Sequence, residues 1–260
     1  MYFSCLEINT KNEKAVNWMT NLYRVHQRLY MAFEGQKQNR VEPDFLYHLE
    51  EDFNKEGRPQ PRILVLSNIE PFWNKAFNGE NFLSDLPKLI QLNLDNFIKK
   101  DVVFQFSLKA NPTKKIKDYR NFFANHLQDY PTKATRENQK KYQEGKEKLK
   151  ELVKNISKSD REKIKSKRVG IYKTDEQIEW LQSKAKQSGF EILHLQFNKG
   201  EKEKAIKKQD NKPTHQIELL QVHFTGILKV TDVQAFKKAY CNGIGTGKAF
   251  GCGMLLLAKA

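Results

Sequence analysis

The chain has 260 residues, room for two domains of ordinary size, and an apolar share of 38%, low but sufficient for two small cores. It holds no run of about 18 apolar residues, which excludes a helical membrane span; its three cysteines, Cys5, Cys241 and Cys252, include no C-x-x-C pair, which argues against zinc and for reduced thiols in a cytoplasm. The net charge is +15, and residues 112–260 hold all of it, with 32 Lys/Arg against 17 Asp/Glu, while residues 1–111 hold 14 of each. An excess confined to one half points to a polyanion partner rather than to solubility alone. Lysines dominate it, which favours contact with phosphates over bidentate reading of bases. A basic membrane-surface helix would need longer apolar faces than this half offers. The opening Met1-Tyr-Phe-Ser-Cys-Leu-Glu lacks the basic and apolar regions of a secretory leader, so a cytoplasmic location is expected.

The first half predicts a strand at Tyr2–Ile8, where apolar and polar residues alternate, and a helix at Asn21–Phe33. Strands follow at Phe45–Leu49 and Ile63–Leu66, separated by the turn-rich Asn54-Lys-Glu-Gly-Arg-Pro-Gln-Pro61. Leu86–Phe97 reads as a helix, and Val102–Leu108 alternates again until Asn111-Pro112 stops it. This βαββαβ order is the ferredoxin-like unit. The second half repeats it roughly: a strand at Arg168–Tyr172, a helix at Asp175–Gln187, and strands at Gly189–Leu195 and Gln216–Val230. A helix N-capped by Asp232 and a last strand at Met254–Ala258 complete it. The fold class expected is therefore α+β, two ferredoxin-like domains in tandem. The expected boundaries are 1–112, a charged stretch at 113–166, and 167–260. The middle stretch, with a capping-box match at Ser159-Asp-Arg-Glu162, is a helical insertion, an RNA-contacting arm or a solvated linker. A second basic loop, residues 199–212, reads as the tip of a hairpin and carries Lys204, Lys207 and Lys208.

The chain ends in a glycine-rich loop, Gly243-Ile-Gly-Thr-Gly-Lys-Ala-Phe-Gly-Cys-Gly253, before its last apolar run. The nucleotide-triphosphate loop requires a glycine where Asn242 stands and a hydroxyl where Ala249 stands, so that motif fails. The dinucleotide fingerprint fails as well, with Lys248 or Phe250 in its third glycine place. What remains is a Gly-Lys loop before a strand. Gly245 and Gly247 would let a phosphate backbone approach, and Lys248 would pair with it; the competing reading is a tight turn.

On the predicted helix, Leu22, Val25, Leu29 and Phe33 form one apolar stripe, with Tyr23, His26 and Tyr30 on its flank. A histidine in such a place is more often a packing residue than a catalyst. Asn21 is placed to cap this helix, leaving first-turn amides that favour a nearby phosphate. The other histidines have no metal-ligand spacing and no accompanying carboxylate cluster, so neither a metal nor a cofactor is expected.

The terminal loop is similar to that of the CRISPR repeat-RNA endoribonucleases of Cascade-type systems, the CasE family. Four further stretches resemble the family in order along the chain: Met1-Tyr-Phe-Ser, Asn21-Leu-Tyr-Arg-Val-His-Gln-Arg-Leu29, Phe106-Ser-Leu-Lys-Ala-Asn-Pro112, and Lys167-Arg-Val-Gly-Ile171 with Glu176-Gln-Ile-Glu-Trp-Leu181. The resemblance implies tandem ferredoxin-like domains and cleavage of CRISPR precursor RNA at the 3′ base of the repeat hairpin. It further implies retention of that RNA beside the other Cascade protein subunits. It makes Tyr23 and His26 the catalytic pair. RNA carries its own nucleophile, the 2′-hydroxyl, so an enzyme need only align it, move protons and balance charge. An imidazole does acid–base work at neutral pH, whereas a phenol is a poor base there, so His26 is read as the proton-transfer group and Tyr23 as the positioning one. Metal-independent cleavage to a 2′,3′-cyclic phosphate and a 5′-hydroxyl is expected. RNA contacts are expected at Gly245, Gly247, Lys248, Lys204, Lys207, Lys208, Lys167 and Arg168. The alternative is a non-catalytic RNA-hairpin-binding subunit of the same fold.

Overall fold

A computed structural model describes residues 1–33, 45–50, 57, 60–79, 81–207 and 215–260, without the side chains of 198–207 and 215–218. Two compact units result, one from Met1–Pro112 with Gly170–Ala260, the other from Thr113–Val169.

The larger unit holds two antiparallel four-stranded sheets. The first contains β1 (Tyr2–Glu7), β2 (Phe45–Glu50), β3 (Arg62–Ser67) and β4 (Lys88–Gln91), in the order β2-β3-β1-β4. Helices α1 (Glu13–Met19) and α2 (Leu22–Met31) join β1 to β2, and α3 (Trp73–Phe77) lies between β3 and β4. The second sheet contains β5 (Val103–Ala110), β8 (Phe190–Lys207), β9 (His215–Val230) and β10 (Leu255–Lys259), in the order β10-β5-β9-β8. Here α8 (Thr174–Gln187) precedes β8, and α9 (Val233–Asn242) joins β9 to β10. Taken in chain order, each sheet runs fourth, first, third, second. Each is a ferredoxin-like unit, as expected for the fold class.

Two strands pair otherwise than the sequence suggests. Val102–Leu108 is expected to close the first unit, yet β5 pairs with β9 and β10, with Lys109 opposite His223 and Leu108 opposite Leu255. The first sheet is closed instead by β4, inside the segment read as a helix. Pro87 and Asn93 divide that segment, and Asn93 caps only the single turn α4 (Leu94–Phe97). The strand expected at Arg168–Tyr172 is β7 (Ser166–Gly170), which pairs with β6 (Thr113–Lys117) in a two-stranded sheet of its own.

The apolar stripes form two cores. Val25, Leu29 and Phe33 are buried against the first sheet, where the Phe33 and Phe45 rings stack at 4.8 Å. Phe104, Phe106 and Leu108 of β5 bury with Phe224 of β9 and Phe236 of α9. Asp232 caps α9 as expected, its carboxylate accepting from the Ala235 amide at 3.0 Å.

A buried histidine lies beside these cores. His48 on β2 is 5% exposed, and its Nδ1 has no hydrogen-bond partner among the described residues. Burial, aided by the charges of Lys109 and His223, pushes its pKa down to about 3. His48 is therefore neutral in the fold, while an unfolded imidazole titrates near 6.5. Its contribution to stability is complete above pH ~6.5 and falls by about 1.4 kcal/mol per pH unit on acidification towards pH 3. The pKa of His223 is lowered too, by burial first and then by Lys109, and acts in the same direction. The melting temperature should drop between pH 7 and pH 4.5, and less steeply in His48→Gln. Equal slopes for the two proteins would remove His48 from this account.

Candidate active site

Helix α2 starts where Asn21 can cap it. The Asn21 side-chain oxygen accepts from the amides of Tyr23 at 3.1 Å and Arg24 at 3.3 Å. Those two first-turn amides are thus already satisfied, and the expectation that they face a phosphate is corrected. Tyr23 and His26 are both half-buried on the flank of the stripe. The His26 ring stacks on Phe45 at 5.2 Å and on Tyr47 at 6.3 Å, and Tyr30 lies at 6.4 Å. Arg28 is turned elsewhere: its guanidinium sits 4.4 Å over the Phe82 ring and donates to the Ala76 carbonyl at 3.0 Å.

The glycine-rich loop closes against this same helix. Its centre is a 3-10 turn, Lys248–Phe250, after Gly247 in the left-handed region at φ +83°. The Tyr47 hydroxyl connects the two elements, lying 2.9 Å from the Leu22 carbonyl and 3.1 Å from that of Ala249. Phe250 sets its ring 6.3 Å from Tyr23, and its carbonyl accepts from the Gln221 side chain at 3.3 Å. From the other side the loop is moored to the end of β5. Thr246 pairs with Asn111 and donates its hydroxyl to the Asn111 carbonyl at 3.2 Å, and the Gly253 amide donates to the Lys109 carbonyl at 2.7 Å. Residues more than 200 positions apart in the chain, Tyr23, His26 and Lys248, are therefore gathered on one side of β2.

The structure separates the two glycines. At Gly245 (φ +84°) a Cβ would come within 2.9 Å of the Trp180 ring, so protein fills the space beside it. At Gly247 a Cβ would meet Asn111 and Cys252 at an ordinary 3.4 Å, leaving only the cost of its positive φ. Lys204 and Lys207 lie on β8 with backbone pairing to Glu218 and His215. Lys208 falls outside the described residues. Lys167 and Arg168 are exposed on β7, in the smaller unit, where Lys167 pairs with Asp118 at 2.7 Å. Tyr47, Gln221 and Asn111 are the residues that sequence reading missed. Tyr47 and Gln221 act through their side chains and Asn111 through its backbone, in contacts too distant in the chain to leave a local pattern. Among the described residues no three His, Cys, Asp or Glu side chains converge.

Because Tyr47 links α2 to the loop through one hydroxyl, Tyr47→Phe keeps the ring stack and loses only the bridge. It should lower stability by about 1 kcal/mol and slow any chemistry that needs Tyr23 and Lys248 held together. Thermal melting and a single-turnover assay on one sample test both. A normal rate in a destabilised protein would make the bridge purely structural.

A family model described as CRISPR associated protein matches residues 1–259. CRISPR system Cascade subunit CasE of Escherichia coli strain K12 is 26% identical over 242 residues, covering 93% of this chain and 94% of CasE. Among solved structures, the CRISPR endoribonuclease Cse3 bound to 19-nucleotide RNA matches with a TM-score of 0.64 at 21% identity, covering 99% of this chain and 100% of that one. The CRISPR-associated protein Cas6e from E. coli K-12 matches with a TM-score of 0.57 at 24% identity, each chain covered in full (100%). With a family model spanning nearly its whole length, and with paired ferredoxin-like sheets shared with these structures, the chain belongs to the CRISPR-associated protein family.

Proposed function

We propose that this protein is an endoribonuclease that cuts CRISPR precursor RNA at the 3′ base of the repeat hairpin and then keeps the product as a subunit of a Cascade-type complex. The observation that carries the reading is the Tyr47 bridge, which holds the helix bearing Tyr23 and His26 against the loop bearing Lys248. The likeness to CasE and to RNA-bound Cse3 supports it. In this reading the 2′-oxygen attacks the adjacent phosphorus and the bond to the 5′-oxygen breaks. The 2′-hydroxyl proton is lost and the leaving oxygen gains one, with His26 as the proton-transfer group and Tyr23 orienting the hydroxyl or phosphate. Lys248 balances the charge that builds on the phosphorane. The products are a 2′,3′-cyclic phosphate and a 5′-hydroxyl, without a metal ion, and the protein works in the cytoplasm.

The hairpin contacts belong to the same proposal: Lys204 and Lys207 on β8, Lys208 next in the chain, Gly247 and Lys248 in the loop, and Lys167 and Arg168 on β7. So does the division of the chain into an N-terminal unit carrying the catalytic helix, the stretch 113–166 and a C-terminal unit, with β5 now assigned to the last. One experiment tests the reading. Repeat-hairpin RNA is incubated with the protein in excess EDTA and the new ends are mapped. Cleavage at the hairpin base with cyclic phosphate ends is expected. Binding without any cleavage would leave a hairpin-binding subunit in its place, and cleavage only on adding a divalent ion would overturn the mechanism.

A further inference from the structure

Of residues 113–169 the proposed function uses only Lys167 and Arg168, as hairpin contacts, and none takes part in the chemistry. The whole segment forms a compact unit rather than a solvated linker. Its main helix, α6 (Gln139–Lys154), turns Tyr142, Gly145 and Leu149 inward, at helical spacing. Gly145 is there because Tyr130 packs on it: a Cβ would lie 2.6 Å from the Tyr130 Cβ. Leu127 and Ile164 are buried. Arg120 ties the unit together by donating to the Tyr130 and Pro131 carbonyls at 2.7 and 2.8 Å. The following helix, α7 (Lys158–Lys163), is capped by Ser157, whose hydroxyl accepts from the Asp160 amide at 3.0 Å, two residues earlier than the sequence signal placed it.

On this scaffold sits a dense positive charge. Residues 113–169 contain 18 Lys/Arg and 8 Asp/Glu, so 57 residues carry +10 of the whole chain's +15. The charge is most concentrated where β6 and β7 pair. Backbone bonds from Ile171 to Pro112 (3.0 Å) and from Asp118 to Lys165 (2.9 Å) mark the two ends of an antiparallel ribbon. Six cations, Lys114, Lys115, Lys117, Lys165, Lys167 and Arg168, lie on or beside it, with Asp118 the nearest acid in sequence. Lys167 pairs with Asp118, and Lys117 donates to the Arg161 carbonyl at 3.0 Å. Lys115, Lys165 and Arg168 are exposed and form no ion pair with the described residues. Two acids elsewhere in the unit are engaged locally, Asp160 by Lys163 and Glu151 by Lys148. An ordered unit that presents this much unpaired charge repels itself until a polyanion covers it.

We propose that residues 113–169 are a second RNA-binding module, whose β6–β7 ribbon grips phosphates through Lys115, Lys165 and Arg168. This rests on the RNA-processing reading for the identity of the polyanion, not for the presence of the site. The contacts are to phosphates and carry no base preference, so they add affinity and salt sensitivity and not sequence choice.

The test uses the full chain with two RNAs, the bare repeat hairpin and the hairpin with its flanking single strands. The triple variant Lys115→Gln, Lys165→Gln, Arg168→Gln is compared with wild type from 50 to 200 mM salt. Loss of three phosphate contacts should flatten the plot of log affinity against log salt by about 2, so that wild type loses roughly 16-fold more affinity across that range than the variant. A charge-keeping variant, Lys115→Arg with Lys165→Arg, should retain the wild-type slope. An unchanged slope in the triple variant on both RNAs would overturn the proposal. So would an equal flattening in the charge-keeping variant, which would reflect damage to the fold. Wild-type cleavage, measured alongside, keeps the two readings apart. A ribbon-dependent slope in a protein that never cuts leaves the module and removes the nuclease. Cleavage with a ribbon-independent slope does the reverse.

Discussion

His26→Ala is expected to slow single-turnover cleavage of the repeat hairpin by about 10²–10⁴-fold, the usual worth of one acid–base group, with little change in hairpin affinity. A neutral imidazole supplies proton transfer and little attraction for phosphate. The fold should survive, because His26 is only half-buried and the core beneath it is made by Val25, Leu29 and Phe33. Tyr23→Phe keeps the ring that faces Phe250 at 6.3 Å and loses only a hydroxyl, so its rate should fall less. The stack of His26 on Phe45 is what a packing histidine would also show. A near wild-type rate in His26→Ala would assign it to that role. A larger loss in Tyr23→Phe than in His26→Ala would make the phenol the principal group.

The elements that the sequence made legible are those whose signals are local. Alternation marked β1 and the long β9, helical spacing marked α2 and α8, and side-chain caps marked α2 and α9 at Asn21 and Asp232. Pairing is a different matter. The alternation of Val102–Leu108 says that the segment is a strand with one buried face, but not which sheet accepts it, and the first half seemed complete with it. Only a fourth strand as short as Lys88–Gln91, exposed along its whole length, leaves β5 for the second sheet. Helices α1 and α3 are five to seven residues long and carry too few turns for a period to show. At the candidate site the sequence proposes Tyr23, His26 and Lys248, but says nothing of the groups that hold them. Tyr47 is one apolar-looking residue of a strand until its hydroxyl meets carbonyls of Leu22 and Ala249.

Gly245→Ala should destabilise the protein far more than Gly247→Ala, although both sit in one loop and both have positive φ. At Gly247 the cost is the left-handed backbone, about 1–2 kcal/mol, since the added methyl finds ordinary contacts at 3.4 Å. At Gly245 the same cost is joined by an overlap with Trp180 at 2.9 Å. Trp180 cannot retreat cheaply, because its other side stacks on Phe224, with ring centroids 6.4 Å apart. Overpacking of this kind adds about 1–3 kcal/mol, for a combined loss near 2–5 kcal/mol and a fall in melting temperature of roughly 10 °C. This divides the two roles that the loop was given. Gly245 is a place where protein approaches the backbone, so its variant should lose RNA affinity only as far as it loses folded protein. Gly247 has no such neighbour, so any loss of hairpin affinity in Gly247→Ala beyond its small loss of stability reports an RNA backbone at that position. Lys248→Ala, which adds no strain, should weaken binding by one charge contact. Normal hairpin affinity in folded Gly247→Ala and Lys248→Ala together would make the loop a turn that braces helix α2, and would move the charge-balancing lysine to another part of the protein.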